Sequence, residues 1–177
     1  MRTKFIAAIS VLVIAISCQS ILADELYTLT IPGQGWSVAF AAPPLLEFQG
    51  QSNGKSFVYQ AADRKAFNLS LFVEEPKNSQ TGHEACFNYY WPKSKRNPMI
   101  DQATVKIEKM PKFVKVMYRI KAEESTALNA NYYFAFHDRW IDLHVSLFPP
   151  APDNEQKLAA FEKSIVYEIT KDKTKSK

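Results

Sequence analysis

Asn129-Ala130-Asn131-Tyr132-Tyr133-Phe134-Ala135-Phe136-His137-Asp138-Arg139-Trp140-Ile141-Asp142-Leu143-His144-Val145-Ser146-Leu147-Phe148 is the stretch that decides the fold. Its apolar positions recur every second residue on both sides of a polar break, the pattern of two antiparallel strands joined by a tight turn. A tip at Asp138-Arg139 sets Phe136 opposite Ile141, Phe134 opposite Leu143, Tyr132 opposite Val145 and Ala130 opposite Leu147, one continuous apolar face. The other face then carries Asn129, Asn131, Tyr133 and His137 with Trp140, Asp142, His144, Ser146 and Phe148, and it places Tyr133 across from His144. One side is built for a core, and the other mixes polar tips with aromatic bodies.

Outward from this hairpin, residues 26–31, 36–41, 57–61 and 67–73 read as short strands, separated by Pro32-Gly33-Gln34-Gly35, Pro43-Pro44 and Asn53-Gly54. Residues 79–91 lack the two-residue period, follow polar turn residues and run into Pro92, which predicts a first helix ending there. A second hairpin turns around residues 109–112, bringing Val105 and Ile107 beside Val116 and Val114 and setting Lys106 against Lys115 on a solvated face. After Pro149-Pro150-Ala151-Pro152, Asp153 and Gln156 have capping-box spacing, and Leu158, Phe161 and Ile165 form the apolar stripe of a final helix that covers the aliphatic face.

The fold class expected is α+β, a largely antiparallel sheet layered with two main helices. This order of elements resembles the PsbP and Mog-like superfamily, which includes periplasmic DcrB-like proteins. The resemblance spans Trp36 to about Ile169 and is carried by Gly35-Trp36-Ser37-Val38-Ala39-Phe40 running into Pro43-Pro44, by Phe67-Asn68-Leu69-Ser70-Leu71, and by Arg139-Trp140-Ile141-Asp142-Leu143. It implies an α/β/α sandwich in a superfamily mostly of non-catalytic accessory and binding proteins, with no active-site motif to carry over.

The amino-terminal segment sets the compartment. Arg2 and Lys4 precede an apolar run over residues 5–16, and Ile21-Leu22-Ala23 offers a small residue just before Asp24, so residues 1–23 read as a signal peptide. The run is short of the ~20 apolar residues that cross a bilayer. Cys18, after Ala15-Ile16-Ser17, gives the alternative of a lipid-anchored envelope protein. Residues 24–169 then form a single domain that is periplasmic or secreted, and residues 170–177 a Lys-rich disordered tail.

The chain has 22 Lys and Arg against 18 Asp and Glu. Arg2 and Lys4 leave with the signal, and Lys171, Lys173, Lys175 and Lys177 concentrate the rest of the excess in the tail. The domain has no basic face for nucleic acid. Cleavage at Ala23 leaves Cys86 without a disulfide partner, so packing alone must hold the fold.

No Gly-rich phosphate loop, nucleophile elbow, His-Glu-x-x-His or Cys-x-x-Cys occurs, and no cofactor is implied. His83 and Cys86 are three residues apart on the first helix, too few ligands for a metal. A thiol-dependent hydrolase or transferase using Cys86 with His144 or His83 is the catalytic alternative. Asn68-Leu69-Ser70 fits a glycan acceptor but lies within a strand. Phe87, Tyr89, Tyr90 and Trp91 cluster at the end of the first helix, two facing the sheet and two rimming a cleft. The expected function is therefore non-catalytic binding of an envelope protein or small ligand, at a shallow cleft formed by Tyr133, Trp140, Asp142, His144, Tyr90 and Trp91.

Overall fold

A computed structural model describes residues 24–122 and 125–170 of the protein. The segment read as a signal peptide, with Cys18, and the Lys-rich end at 171–177 lie outside these residues. In chain order the elements are β1 (Glu25–Thr30), β2 (Trp36–Ala42), β3 (Glu47–Ser52), β4 (Ser56–Ala62), β5 (Phe67–Glu74), α1 (His83–Ser94), β6 (Ile100–Lys109), β7 (Val114–Ala122), β8 (Ser125–Phe136), β9 (Arg139–Leu147), α2 (Asn154–Ser164) and β10 (Val166–Ile169). It is a mostly antiparallel α+β fold with two helices. A seven-stranded sheet runs β3-β4-β5-β9-β8-β7-β6, and a three-stranded sheet runs β1-β2-β10.

The β8–β9 hairpin forms with the faces that the alternation dictates, but with its register displaced by two residues. Phe136 pairs with Arg139, Phe134 with Ile141, Tyr132 with Leu143 and Ala130 with Val145. The loop is His137-Asp138, both with positive φ (46° and 53°), the backbone of a two-residue type I′ turn. A two-residue slip leaves every side chain on its face, so the core is unchanged. Opposite partners do change: Tyr133 faces Asp142, and Asn131 faces His144.

The β6–β7 hairpin departs from expectation in the same way. Met110 N donates to Phe113 O at 2.9 Å, closing a loop of only Pro111 and Lys112. Lys106 therefore sits opposite Met117, and Lys115 opposite Glu108. Lys115 is not on a solvated like-charged face. Its ammonium, only 14% exposed, bridges Glu108 at 3.0 Å and Glu162 of α2 at 2.8 Å.

Two cores lie on opposite faces of the large sheet. On the aliphatic face Leu69, Leu71, Val73, Ile141, Leu143, Val145 and Leu147 meet Trp36, Val38 and Phe40 of β2 and Leu158 and Phe161 of α2, with Ile165 just beyond it. The final helix is thus only part of the cover. The small sheet shares it, as the edge-on contact of Trp36 with Phe136 (5.3 Å between centroids) and the stacking of Phe134 on Tyr167 (4.8 Å) show. Burying so many large apolar side chains is the dominant stabilising term, about 1.5–3 kcal/mol for each. The Asp153 side chain makes no cap hydrogen bond and pairs instead with Lys157 at 3.1 Å, so the expected capping box does not form.

The opposite face carries α1, which starts later and ends later than expected and includes Pro92. A proline in a final turn removes only the bond to the carbonyl four residues back, here Asn88, which is exposed to water. α1 lies on β8, β9 and β7, enclosing Ala85, Cys86, Trp91, Val116, Tyr118, Tyr133 and Trp140 in a second, aromatic core. Its hold on β5 runs through Tyr90, which meets Phe72 edge-on (6.3 Å between centroids) and hydrogen-bonds Glu74 at the strand's end.

Candidate functional site

The polar and aromatic face of the hairpin divides into a covered part and an open part. Under α1, Tyr133 and Trp140 are completely buried and Trp91 is nearly so. Trp140 is boxed by Tyr89 and Tyr90 (centroids 5.2 and 6.2 Å), and Trp91 leans on Tyr118 at 5.5 Å. These three side chains present no surface to a ligand, which corrects their placement in a cleft. The cause is the position of α1 over β7, β8 and β9, which turns these three rings inward, where aromatic area is worth more than at a rim. Neither Trp140 Nε1 nor the Tyr133 hydroxyl has a hydrogen-bond partner; the latter lies near Ser94 without reaching bonding geometry.

Tyr90 is half-buried and fixed at the edge of this core. Its hydroxyl donates a short hydrogen bond to Glu74, whose other carboxylate oxygen is 2.5 Å from Lys77 Nζ. Burial, reinforced by the carboxylate, raises the Tyr90 pKa beyond its ordinary value.

Beyond α1 the same face of the sheet is uncovered. A shallow hollow of about 360 Å³ lies over β3, β4, β5 and β9, and its polar walls are Glu47, Gln49, Gln60, Asn68, Ser70 and His144. Period-two alternation puts Asn68 and Ser70 on this face while Phe67, Leu69 and Leu71 enter the core. The register makes a row of Gln49, Gln60, Ser70, His144 and Asn131 across five strands. Of the six expected site residues, only His144 lines this hollow. β3 supplies Glu47 and Gln49 of the missed lining, and with every residue exposed it offers no apolar periodicity to detect. Asn68 and Ser70 did carry a signal, the polar alternation within β5.

Asp142 and His144 stand where the roofed and open parts meet. Asn131 Nδ2 donates to Asp142 Oδ1 at 2.7 Å, and Tyr118 Oη donates to Asn131 Oδ1 at 2.9 Å. Both Asp142 and His144 keep partial surface access, yet protein crowds their charged atoms. Desolvation pushes the Asp142 carboxyl up to about 7, against the opposing pull of Asn131, and lowers His144 to about 4. His144 Nε2 lies 2.9 Å from Asn129 Oδ1, while Asn129 Nδ2 donates to Ala127 O at 3.2 Å. That orientation of the amide makes Nε2 the proton-bearing nitrogen of a neutral ring.

The groups a nucleophilic mechanism needs are placed apart or occupied. Cys86 is fully buried, its thiol donates to Ile141 O at 3.4 Å, and burial with the nearby Asp142 charge raises its pKa well above the ordinary thiol value. His83 Nδ1 accepts from Ala135 N at 3.0 Å, and desolvation, partly offset by the Pro111 carbonyl, lowers its pKa. Ser70 is directly opposite His144, but no hydrogen bond joins them, and an imidazole with a pKa near 4 is a weak base. Among the described residues no three His, Cys, Asp or Glu side chains converge as a metal site, and no helix is long and apolar enough to cross a membrane.

The polar part of the hollow's lining is therefore mainly neutral donors and acceptors, set beside the apolar Phe48, Ala61, Ala62 and Leu69. Its one lining carboxylate, Glu47, is paired with Arg64 at 2.6 Å, and no lysine or arginine lines it. Compared with known proteins, the chain matches no family model and no curated protein.

Proposed function

We propose that the protein is an exported, non-catalytic binding or accessory domain of the cell envelope, and that its contact surface is the hollow over β3, β4, β5 and β9. The observation that carries this reading is the lining: Gln49, Gln60, Asn68, Ser70 and His144 bring amide, hydroxyl and imidazole groups together on one open surface. Such a set suits a neutral, hydrogen-bonding ligand, a saccharide or the amide groups of a peptide, rather than an anion or an apolar molecule. The committed hydrogen bonds of Cys86 and His83 weigh against the thiol-dependent hydrolase or transferase.

Export and release at Ala23 rest on the amino-terminal sequence, with a lipid anchor at Cys18 as the rival. Mass spectrometry of the mature amino terminus separates them: Asp24 supports release, and an acylated Cys18 overturns it. The layered arrangement, with α1 on one face and α2 with the small sheet on the other, supports reading the fold as a sandwich of the PsbP and Mog-like type.

The test is an NMR titration of the ¹⁵N-labelled protein with a panel of neutral mono- and disaccharides and short uncharged peptides. Binding at the hollow shifts the side-chain amide signals of Gln49, Gln60 and Asn68, and Ser70→Tyr, which fills the floor, abolishes the shifts. Signals that move only at other surfaces, or binding unaffected by Ser70→Tyr, overturn the assignment.

A further inference from the structure

The two edges of the seven-stranded sheet are guarded unequally. β6 carries Lys106 and Lys109, and its pairing with β7 is interrupted by a register irregularity between Asp101 and Lys106, both features that discourage another strand from adding. β3 has neither. It contains no lysine and no proline, its pairing with β4 is unbroken, all six of its residues are exposed, and among the described residues no strand lies beyond it. Glu47, its single charge, is already paired with Arg64.

Its side chains are also complementary to themselves. Phe48 exposes 69% of its surface, and two residues later Gly50 leaves a gap in which a Cβ would meet only ring carbons of Phe57 and Tyr59, at 3.8 and 3.9 Å. We infer that β3 pairs antiparallel with β3 of a second copy of this chain, about a two-fold axis at Gln49. Directly opposite residues of an antiparallel pair share a face. An axis at Gln49 therefore sets Phe48 against Gly50 of the partner subunit, and the reciprocal contact repeats it. Each ring covers a glycine, an arrangement that compensates for the missing side chain. Glu47 falls opposite Gln51 of the partner subunit, so no like charges meet. An axis at Gly50 would instead oppose two glycines and waste both rings.

Because Glu47, Gln49 and Gln51 project on the hollow's side of the sheet, the pairing joins two hollows into one polar surface across the axis. The dimer itself does not depend on what the hollow binds. A pairing of two six-residue strands is a small interface, and association is expected at micromolar concentration or above.

Sedimentation equilibrium of the purified protein from about 5 to 500 μM tests this range. The unmodified protein is expected to show a monomer–dimer equilibrium. Gln49→Lys and Gln49→Glu, each placing like charges across the axis, are each expected to weaken it by about tenfold or more. An equimolar mixture of the two variants restores the dimer, because Lys then faces Glu. A protein that stays monomeric throughout overturns the proposal, as does a dimer indifferent to both charges or a mixture that fails to recover. Circular dichroism checks folding of each variant, and if one fails to fold, the other alone decides between a weakened and an indifferent dimer.

Discussion

Asp142 and His144 share one face of β9, yet each turns to an asparagine of β8 one step diagonal to its register partner. Asp142 is opposite Tyr133 but bonds Asn131, while His144 is opposite Asn131 but bonds Asn129. The direct position beside Asp142 is filled by a ring whose hydroxyl has no partner, so the carboxyl reaches along the strand. The two titrating groups are thereby kept separate, each with its own amide.

Their opposite shifts make a pH prediction. Asp142 has its folded pKa raised from 3.8 to about 7, so its contribution is full below 3.8 and is lost as pH rises toward 7. His144 is lowered from 6.5 to about 4, and its contribution grows over nearly the same interval. Folding in effect moves a proton from the imidazole to the carboxyl, and the two slopes offset each other between pH ~4 and 6.5. Urea titrations of Asp142→Asn should show stability rising with pH across that window, and those of His144→Gln should show it falling, each by up to about 1.4 kcal/mol per pH unit. Equal slopes in both variants would contradict the assignment.

Cys86→Ala should cost about 1 kcal/mol, the loss of a small packed group and its bond to Ile141, without exposing new chemistry. Alkylation of the native protein by iodoacetamide at neutral pH should be slow and limited by unfolding. A rapid reaction would revive the thiol mechanism.

Lys115→Ala should destabilise by about 1–3 kcal/mol, since it strands the Glu162 carboxylate, which is only 16% exposed, without its ammonium. Glu162→Gln combined with Lys115→Ala should recover part of the loss in thermal melts. Additive losses would mean that the pair contributes nothing.

The His137-Asp138 loop offers a stabilising change. Both residues hold positive φ, which Asn and Gly adopt at lower cost, so His137→Asn with Asp138→Gly should add roughly 0.5–1 kcal/mol. A fall in melting temperature would show that His137, whose ring meets Phe136 at 4.6 Å, contributes more than the backbone relief returns.

Leu143→Asp should unfold the domain, because Leu143 is fully buried between the large sheet and its cover and the new carboxylate would have no partner. The circular dichroism of Asp142→Asn, one residue away on the other face, should remain native. Loss of structure in both would show that the faces are not distinguished as the register requires.

Face assignment was legible in the sequence because alternation is insensitive to a two-residue slip. Phe134, Leu143 and Val145 enter the core in either register. Register itself was not legible, since it depends on whether His137 and Lys112 accept tight two-residue loops, and neither loop has the Asn-Gly signature. β3 was invisible for lack of any buried residue, and β10 because Val166–Ile169 follows α2 with no breaker between. At the site, His144 was found by its strand phase. The burial of Tyr133, Trp140 and Trp91 is not legible in the sequence, because alternation does not say over which strands a helix lies.

The position of α1 has a further geometric consequence. A helix is about 10 Å wide, and strands lie ~4.8 Å apart, so one helix roofs two or three of them. Among the described residues, the face opposite α2 has seven strands and a single helix, which settles over β7, β8 and β9. The hollow is thus an uncovered remainder of the sheet. Its shoreline runs along β9, where one strand edge meets aromatic rings and the next meets water. Asp142 and His144 are the residues standing on that shoreline, and anything that settles over β3 to β5 would complete their enclosure.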